Sequence, residues 1–297
     1  MMLPVQFPFF NGLAPYATIS PLKTLQMRGR RSVTKRLFET FRTVFTDDSP
    51  ISFEAYSPRG GLPSRVLRIG GQQVVDMGNY CNTCSLLFQH LADPAQRVRL
   101  DTLADQLASG VSKREMFTVL NTVYPVLPQG AYEVSLLELT PRLVRRGSPQ
   151  DYFVADRPLL WTFPGDSGDP CIDYYRGMTK PIPPDSALFE FVVPLDDMAR
   201  LNSKVVAEYE RSMVAGKKPT AMAITILDRR QPAMWGADPP VTQHYLLAHY
   251  LIDGHHKVRA AANADRPLTL LSFLARDHSM ASFGDVATVF RCLDSDR

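Results

Sequence analysis

From residue 185 onward the chain interleaves strand-length apolar runs with helix-length stretches, and that order leaves few folds open. Residues 188–193, 222–227, 245–252 and 268–274 read as strands, and the longest apolar runs look like core strands. Residues 195–216 and a stretch opening at His256 read as helices, with a Pro/Gly loop between the second and third strands. Strands and helices in this alternation predict a mixed α/β arrangement.

The first half is less regular. Leu37, Phe38, Phe41, Val44 and Phe45 recur at helical spacing over 35–45, and Asp47-Asp48-Ser49-Pro50 stops that helix. Residues 51–80 look extended, with turns at Pro58-Arg59-Gly60-Gly61 and Gly70-Gly71; 66–69 and 72–76 predict a small hairpin. Asp93-Pro94 reads as the start of a helix carrying Leu100, Leu103 and Leu107, Gly110 as its end, and Ser112 with Glu115 as a capping box for the next helix. A strand over 132–139 and a turn-rich stretch over 147–185 follow, the latter closing on Pro181-Ile182-Pro183-Pro184. The expected organisation is a basic, Pro/Phe-rich tail and helix over 1–48, a smaller α+β part over 49–184, and an α/β domain over 185–297.

Composition narrows the class. Forty-five per cent hydrophobic and 21% charged residues are usual for a soluble globular chain with a substantial core. Lys and Arg outnumber Asp and Glu by 33 to 30, so overall charge does not call for nucleic acid, although a local basic patch remains compatible with it. Residues 1–38 hold six basic and no acidic side chains, which fits a flexible or partner-binding arm, or an organelle transit segment. No apolar run reaches the roughly 18 to 20 residues of a membrane span. Four cysteines do not make a disulfide framework in a chain this long, so a reducing, cytoplasmic setting is expected.

The stretch from Tyr250 to Ala261 reads as a site. A strand ends at Asp253-Gly254 and a helix opens at once, so backbone N–H groups without intrahelical partners and the positive end of the helix dipole converge where an anion is welcome. Gly254 lets a ligand approach the backbone, and His255, His256 and Lys257 add donors on the first turn. The same residues also fit a plain turn with a capping histidine and a solvated lysine.

The segment Phe191-Val192-Val193-Pro194-Leu195-Asp196-Asp197, a helix ending in Ala215-Gly216-Lys217-Lys218-Pro219, two strands, and Ile252-Asp253-Gly254-His255-His256-Lys257-Val258-Arg259-Ala260-Ala261 together resemble the ParB/sulfiredoxin fold superfamily, over about the last 115 residues. The resemblance implies a ParB/sulfiredoxin-like mixed sheet whose strand-to-helix turn contacts nucleotide phosphates. It assigns Gly254 to the motif glycine, His256 to the motif histidine, and Lys257 to a position usually held by arginine, where a point charge replaces a bidentate fork. His255 stands where sulfiredoxins carry cysteine, so their thiol chemistry is not expected. The chain runs about 40 residues past the motif, too few for the helix-turn-helix of chromosome-partitioning members. Members that phosphorylate free serine pair the nucleotide with nearby carboxylates. By that likeness the expected function is a nucleotide-dependent phosphotransferase or nucleotide hydrolase using ATP, ADP or CTP with Mg²⁺. Asp253 and His255 are the candidate catalytic residues, Gly254, His256 and Lys257 bind phosphate, Asp253 holds Mg²⁺ or caps the helix, and Asp196, Asp197 and Glu190 are further carboxylates. The competing expectation is a non-catalytic regulatory module that binds nucleic acid or protein.

Elsewhere, Cys81-Asn82-Thr83-Cys84 is a C-x-x-C that reads as two small half-buried residues, as half a zinc site completed by some of Cys171, Cys292, His90 and Asp76, or as a redox pair. His244 and His249, five apart on one strand, point to opposite faces. Trp161 and Trp235 could stack a base or pin their loops.

Overall fold

Residues 220–230 and 243–253 have neighbours on both sides and apolar side chains on both faces, and they form the middle of the sheet that organises the molecule. The computed structural model describes residues 39–43, 49–56, 64–79, 88–95, 98, 100–112, 114–153, 172–230 and 241–294, and every structural statement below concerns these. In chain order the elements are β1 (Glu39–Thr43), β2 (Ile51–Tyr56), β3 (Ser64–Ile69), β4 (Gln72–Asn79), β5 (Gln89–His90), α1 (Ala104–Ser109), α2 (Met116–Val123), β6 (Gly130–Leu139), β7 (Arg142–Val144), β8 (Tyr174–Ile182), β9 (Ser186–Val193), α3 (Ser203–Val214), β10 (Thr220–Arg230), β11 (Gln243–Asp253), α4 (His255–Ala264), β12 (Leu268–Ala275) and α5 (Phe283–Asp294). The fold is mixed α and β. Among the described residues no helix is long and apolar enough to cross a membrane.

The large sheet has eight strands in the order β1-β6-β12-β10-β11-β9-β8-β7; β10 with β12 and β11 with β9 are parallel, the other pairs antiparallel. Alternation along each strand gives the sheet two apolar faces. On one, Leu139, Ala223, Leu251 and Leu270 pack under Val206 and Met213 of α3 and Val258 and Ala261 of α4. Farther along that face Leu188, Leu227, Leu247 and Leu274 lie under Val286, Val289 and Leu293 of α5. Ile224, Ile226, Leu246, Ala248 and Phe273 belong to the other face, whose core includes Leu67, Val75 and Met77 of the four-stranded sheet β2-β3-β4-β5 and Leu107, Val119 and Leu120 of α1 and α2. Arg65 fastens the two sheets together: Nη1 donates to Asp228 Oδ1 at 2.9 Å, Nη2 to Asp228 Oδ2 at 2.5 Å, and further bonds reach the carbonyls of Met77 and His278.

Several expectations change here. The division at residue 185 falls inside one compact unit, Ser32–Arg297, because the proline cluster forms the hairpin between paired strands β8 and β9. Residues 39–43, expected in a helix, form β1: the edge of β6 offers unpaired backbone groups, and Glu39 to Thr43 pair with Val134 to Gly130. The helix expected over 195–216 begins only at Ser203, after Asp197 and Asn202 have turned the chain by accepting from the amides of Ala199 and Lys204. Asp93 caps no helix; it accepts from Asp197 N and pairs with Arg200.

Candidate functional site at the β11–α4 turn

Two adjoining cavities open at the turn where β11 passes into α4, one of about 100 Å³ and one of about 600 Å³, and both touch Asp253, Gly254 and His256. Gly254 has φ +97°, and a Cβ there would stand 2.6 Å from Ala221 Cβ and 2.9 Å from Ala221 Cα. Both the left-handed backbone and the approach to β10 require glycine.

The side chains expected to donate to a phosphate are turned to other tasks. His255 Nε2 accepts from the amides of Leu195, at 3.0 Å, and Asp196, at 3.3 Å, with Nδ1 4.0 Å from Asp196 Oδ2. His256 Nε2 accepts from the amide of Asn202 at 3.0 Å. A ring nitrogen that accepts from an N–H carries no proton, so both imidazoles use Nε2 to pin the connection from β9 to α3. Lys257 is 6% exposed. Its ammonium donates to Asp253 Oδ2 at 2.8 Å and to the Thr220 carbonyl at 3.0 Å, so it is neither solvated nor turned outward. Asp253 is more accessible than His255 or Lys257, its side chain 36% exposed against 11% and 7%, and Oδ1 makes no hydrogen bond among the described residues.

The larger cavity has two unlike ends. Leu100, Ala104 and Leu107 on one side and Val205 and Tyr209 of α3 on the other make an apolar and aromatic wall, to which Asp101 adds a carboxylate beside Leu100, while Asp253, Gly254, His256 and Lys257 line its polar part. The Tyr209 hydroxyl is held above its usual pKa by burial, then by Asp253 and Glu208, which places it beside the polar end. Asp196 lines the smaller cavity and also a third, of about 470 Å³, where His90, Asp93, Asp173 and Asp197 join it. In that third cavity Asp93 is held by Arg200 and Asp197 caps Ala199.

Glu190, expected among the nearby carboxylates, lies elsewhere. It is buried under the helices, where Oε1 meets His249 Nε2 at 3.2 Å and Oε2 accepts from Met178 N at 2.9 Å. His249 Nδ1 continues to Thr225 Oγ1 at 2.8 Å and Thr225 to Ser272 Oγ at 2.7 Å, a buried polar row across neighbouring strands. Met178 N reaches Glu190 because Gly177 has no side chain: a Cβ there would meet Glu190 Oε2 at 2.1 Å. His244 lies on the opposite face with Tyr152, as the spacing of the two histidines implied.

Cys81, Cys84, Cys171, Trp161 and Trp235 lie outside the described residues. Of the other proposed zinc partners, Asp76 is bonded to Ser64, and His90 Nε2 lies 3.1 Å from the Leu195 carbonyl; Cys292 is half-buried on α5, its carbonyl accepting from Lys180 Nζ. Among the described residues no three His, Cys, Asp or Glu side chains converge as metal ligands. The sequence reading missed Asp101, Val205 and Tyr209. Tyr209 carried the available signal, an aromatic on α3 one turn from the buried Val206.

No protein-family model, curated protein or solved structure matches this chain.

Proposed function

We propose that this protein binds a nucleotide in the cleft between α1, α3 and the β11–α4 turn, as a module of the ParB/sulfiredoxin type. The observation that carries this reading is the two-ended cleft. Its volume of about 600 Å³ is in the range of small-molecule sites, its Tyr209-bearing wall offers a face to a base, and its other end is a helix N-terminus reached past a glycine. The backbone amides of the first turn, rather than the imidazoles or Lys257, are the groups that meet the phosphates. Asp253 Oδ1 is the protein oxygen for a Mg²⁺ that the nucleotide brings with it, and that cation offsets the acidic side chains lining the cleft. In the catalytic version of this reading the protein is a phosphotransferase or nucleotide hydrolase, with Asp253 orienting the attacking hydroxyl or water.

One observation favours a non-catalytic binding module instead: His255, His256 and Lys257 are all engaged in holding the turn, which leaves no histidine base at the polar end. Calorimetric titration with ATP, ADP and CTP, with and without Mg²⁺, tests binding against a Val205→Trp variant that fills the cleft. Saturable binding to the wild type and its loss in the variant is the expected result; heats that are absent from the folded wild type, or unchanged in the variant, would remove the proposal. Turnover in the same samples separates enzyme from binding module.

A further inference from the structure

Two carboxylates line the large cleft, and among the described residues only Asp253 has a partner, Lys257. The other, Asp101, opens the short helical turn Asp101–Leu103 that leads into α1, next to Leu100 and across the cleft from Val205 and Tyr209 of α3. It is exposed, and its side chain makes no hydrogen bond or ion pair among the described residues. The task that local structure gives it is slight: an acid in a first turn favours the positive end of the backbone dipoles. Asp105, also exposed, does the same for α1 and lies outside the cleft lining.

An ionised carboxylate can only accept hydrogen bonds, so the chemistry of a nucleotide decides which part of it such a group can face. Phosphates offer acceptors and negative charge, which a carboxylate repels. The edges of adenine and cytosine set a ring-nitrogen acceptor beside the amino group, so one carboxylate oxygen would meet a lone pair. The ribose offers two hydroxyls on adjacent carbons, and both oxygens of one carboxylate can accept from them. An acidic side chain serves the ribose 2′-hydroxyl in this way in doubly wound dinucleotide sites. Asp101 stands in the apolar wall rather than at the Gly254 turn, the placement a sugar-reading group needs when the phosphates are at the turn.

We propose that Asp101 is a specificity-determining residue of the cleft: its carboxylate accepts from the 2′- and 3′-hydroxyls of a ribonucleotide and selects it over the 2′-deoxy form. The inference rests on the nucleotide reading of the same cleft, and it adds a residue from outside the stretch that resembles the ParB/sulfiredoxin superfamily.

The test is calorimetric titration of the full chain with the Mg²⁺ complexes of ATP, CTP and GTP, each beside its 2′-deoxy counterpart, on the wild type, Asp101→Ala and Asp105→Ala. The wild type is expected to bind the ribo form at least about tenfold more tightly. Asp101→Ala should abolish that ratio by weakening the ribo form, and Asp105→Ala should keep it. The direction is diagnostic, because removing a negative charge near an anionic ligand tightens the binding of both forms when no hydrogen bond is lost. Equal affinities in the wild type, a ratio that survives in Asp101→Ala, or a tightening of both forms would overturn the ribose assignment and leave the nucleotide reading standing. So would a preference for GTP that Asp101→Ala weakens alike in ribo and deoxy forms, since guanine presents two adjacent donors and the carboxylate would then read the base. Should Asp101→Ala fail to fold, Asp101→Asn decides: the ratio falls if the carboxylate reads the ribose and is unchanged if it does not. Binding of none of the six nucleotides to the folded wild type would remove the nucleotide reading and this inference with it.

Discussion

Lys257 Nζ lies 2.8 Å from Asp253 Oδ2, one helical turn earlier in the chain, and 3.0 Å from the Thr220 carbonyl oxygen. The ammonium is nearly buried and the carboxylate partly open, so the pair ties the start of α4 to β10 and leaves one carboxylate oxygen facing the cleft.

Asp253→Asn would leave that buried ammonium with weaker acceptors. Broken buried pairs cost about 3 to 5 kcal/mol and exposed ones about 0 to 1; a half-open pair belongs between, at about 1 to 3 kcal/mol. Urea unfolding of the single variants and of Asp253→Asn combined with Lys257→Met measures it. A coupling energy near zero would show that the contact holds nothing.

Gly254 and Gly216 both have positive φ, +97° and +92°, but only Gly254 has Ala221 against the position of its missing side chain. Gly216→Ala is expected to cost about 1 to 2 kcal/mol for the left-handed backbone alone. Gly254→Ala adds about 1 to 3 kcal/mol of overpacking. Equal losses in the two variants would mean that β10 and the turn separate freely.

The Arg65 to Asp228 pair crosses between the sheets with both residues buried. Asp228→Ala is expected to lower stability by about 3 to 5 kcal/mol. Glu54→Ala, which removes the more exposed partner of Arg68, should cost under about 1 kcal/mol. The comparison is made by denaturant unfolding at neutral pH.

His244 and His278 are each held down to a pKa of about 4, by burial first. For His244 the arginines Arg230 and Arg176 add to this; for His278 Arg65 lowers and Asp277 opposes. The unfolded chain therefore binds more protons than the native one between pH 6.5 and 4. Their contribution is fully present above pH 6.5 and is lost as pH falls through that window, with a slope of at most about 1.4 kcal/mol per pH unit for each histidine. Stability measured from pH 7 to pH 4 should decline, and His278→Gln should flatten the decline; a parallel curve in that variant would contradict the assignment.

Much of the second half of the fold was legible because central strands write their burial into the chain: 188–193, 222–227, 245–252 and 268–274 all lie within β9, β10, β11 and β12. The hairpin at Gly70-Gly71 and the turn at Gly254 were legible through glycines that local backbone geometry demands. What depends on distant partners was not. The five spaced apolar residues around Phe41 carry a helical period, yet pairing with β6 makes residues 39–43 a strand. Pro183-Pro184 reads as a linker until β8 and β9 are seen to pair across it. At the site, the turn was visible, but the direction of each imidazole lone pair is set by backbone amides some 54 to 60 residues away. The cleft wall, likewise, joins Leu107 to Tyr209, which no local pattern connects.

The nucleotide proposal meets its most direct test in the amide spectrum of ¹⁵N-labelled protein titrated with ATP and Mg²⁺. The account predicts saturable shifts largest at the backbone amides of Gly254, His255, His256 and Lys257 and at Tyr209. A spectrum that stays unchanged at millimolar nucleotide, or one whose shifts spare the turn, would contradict it.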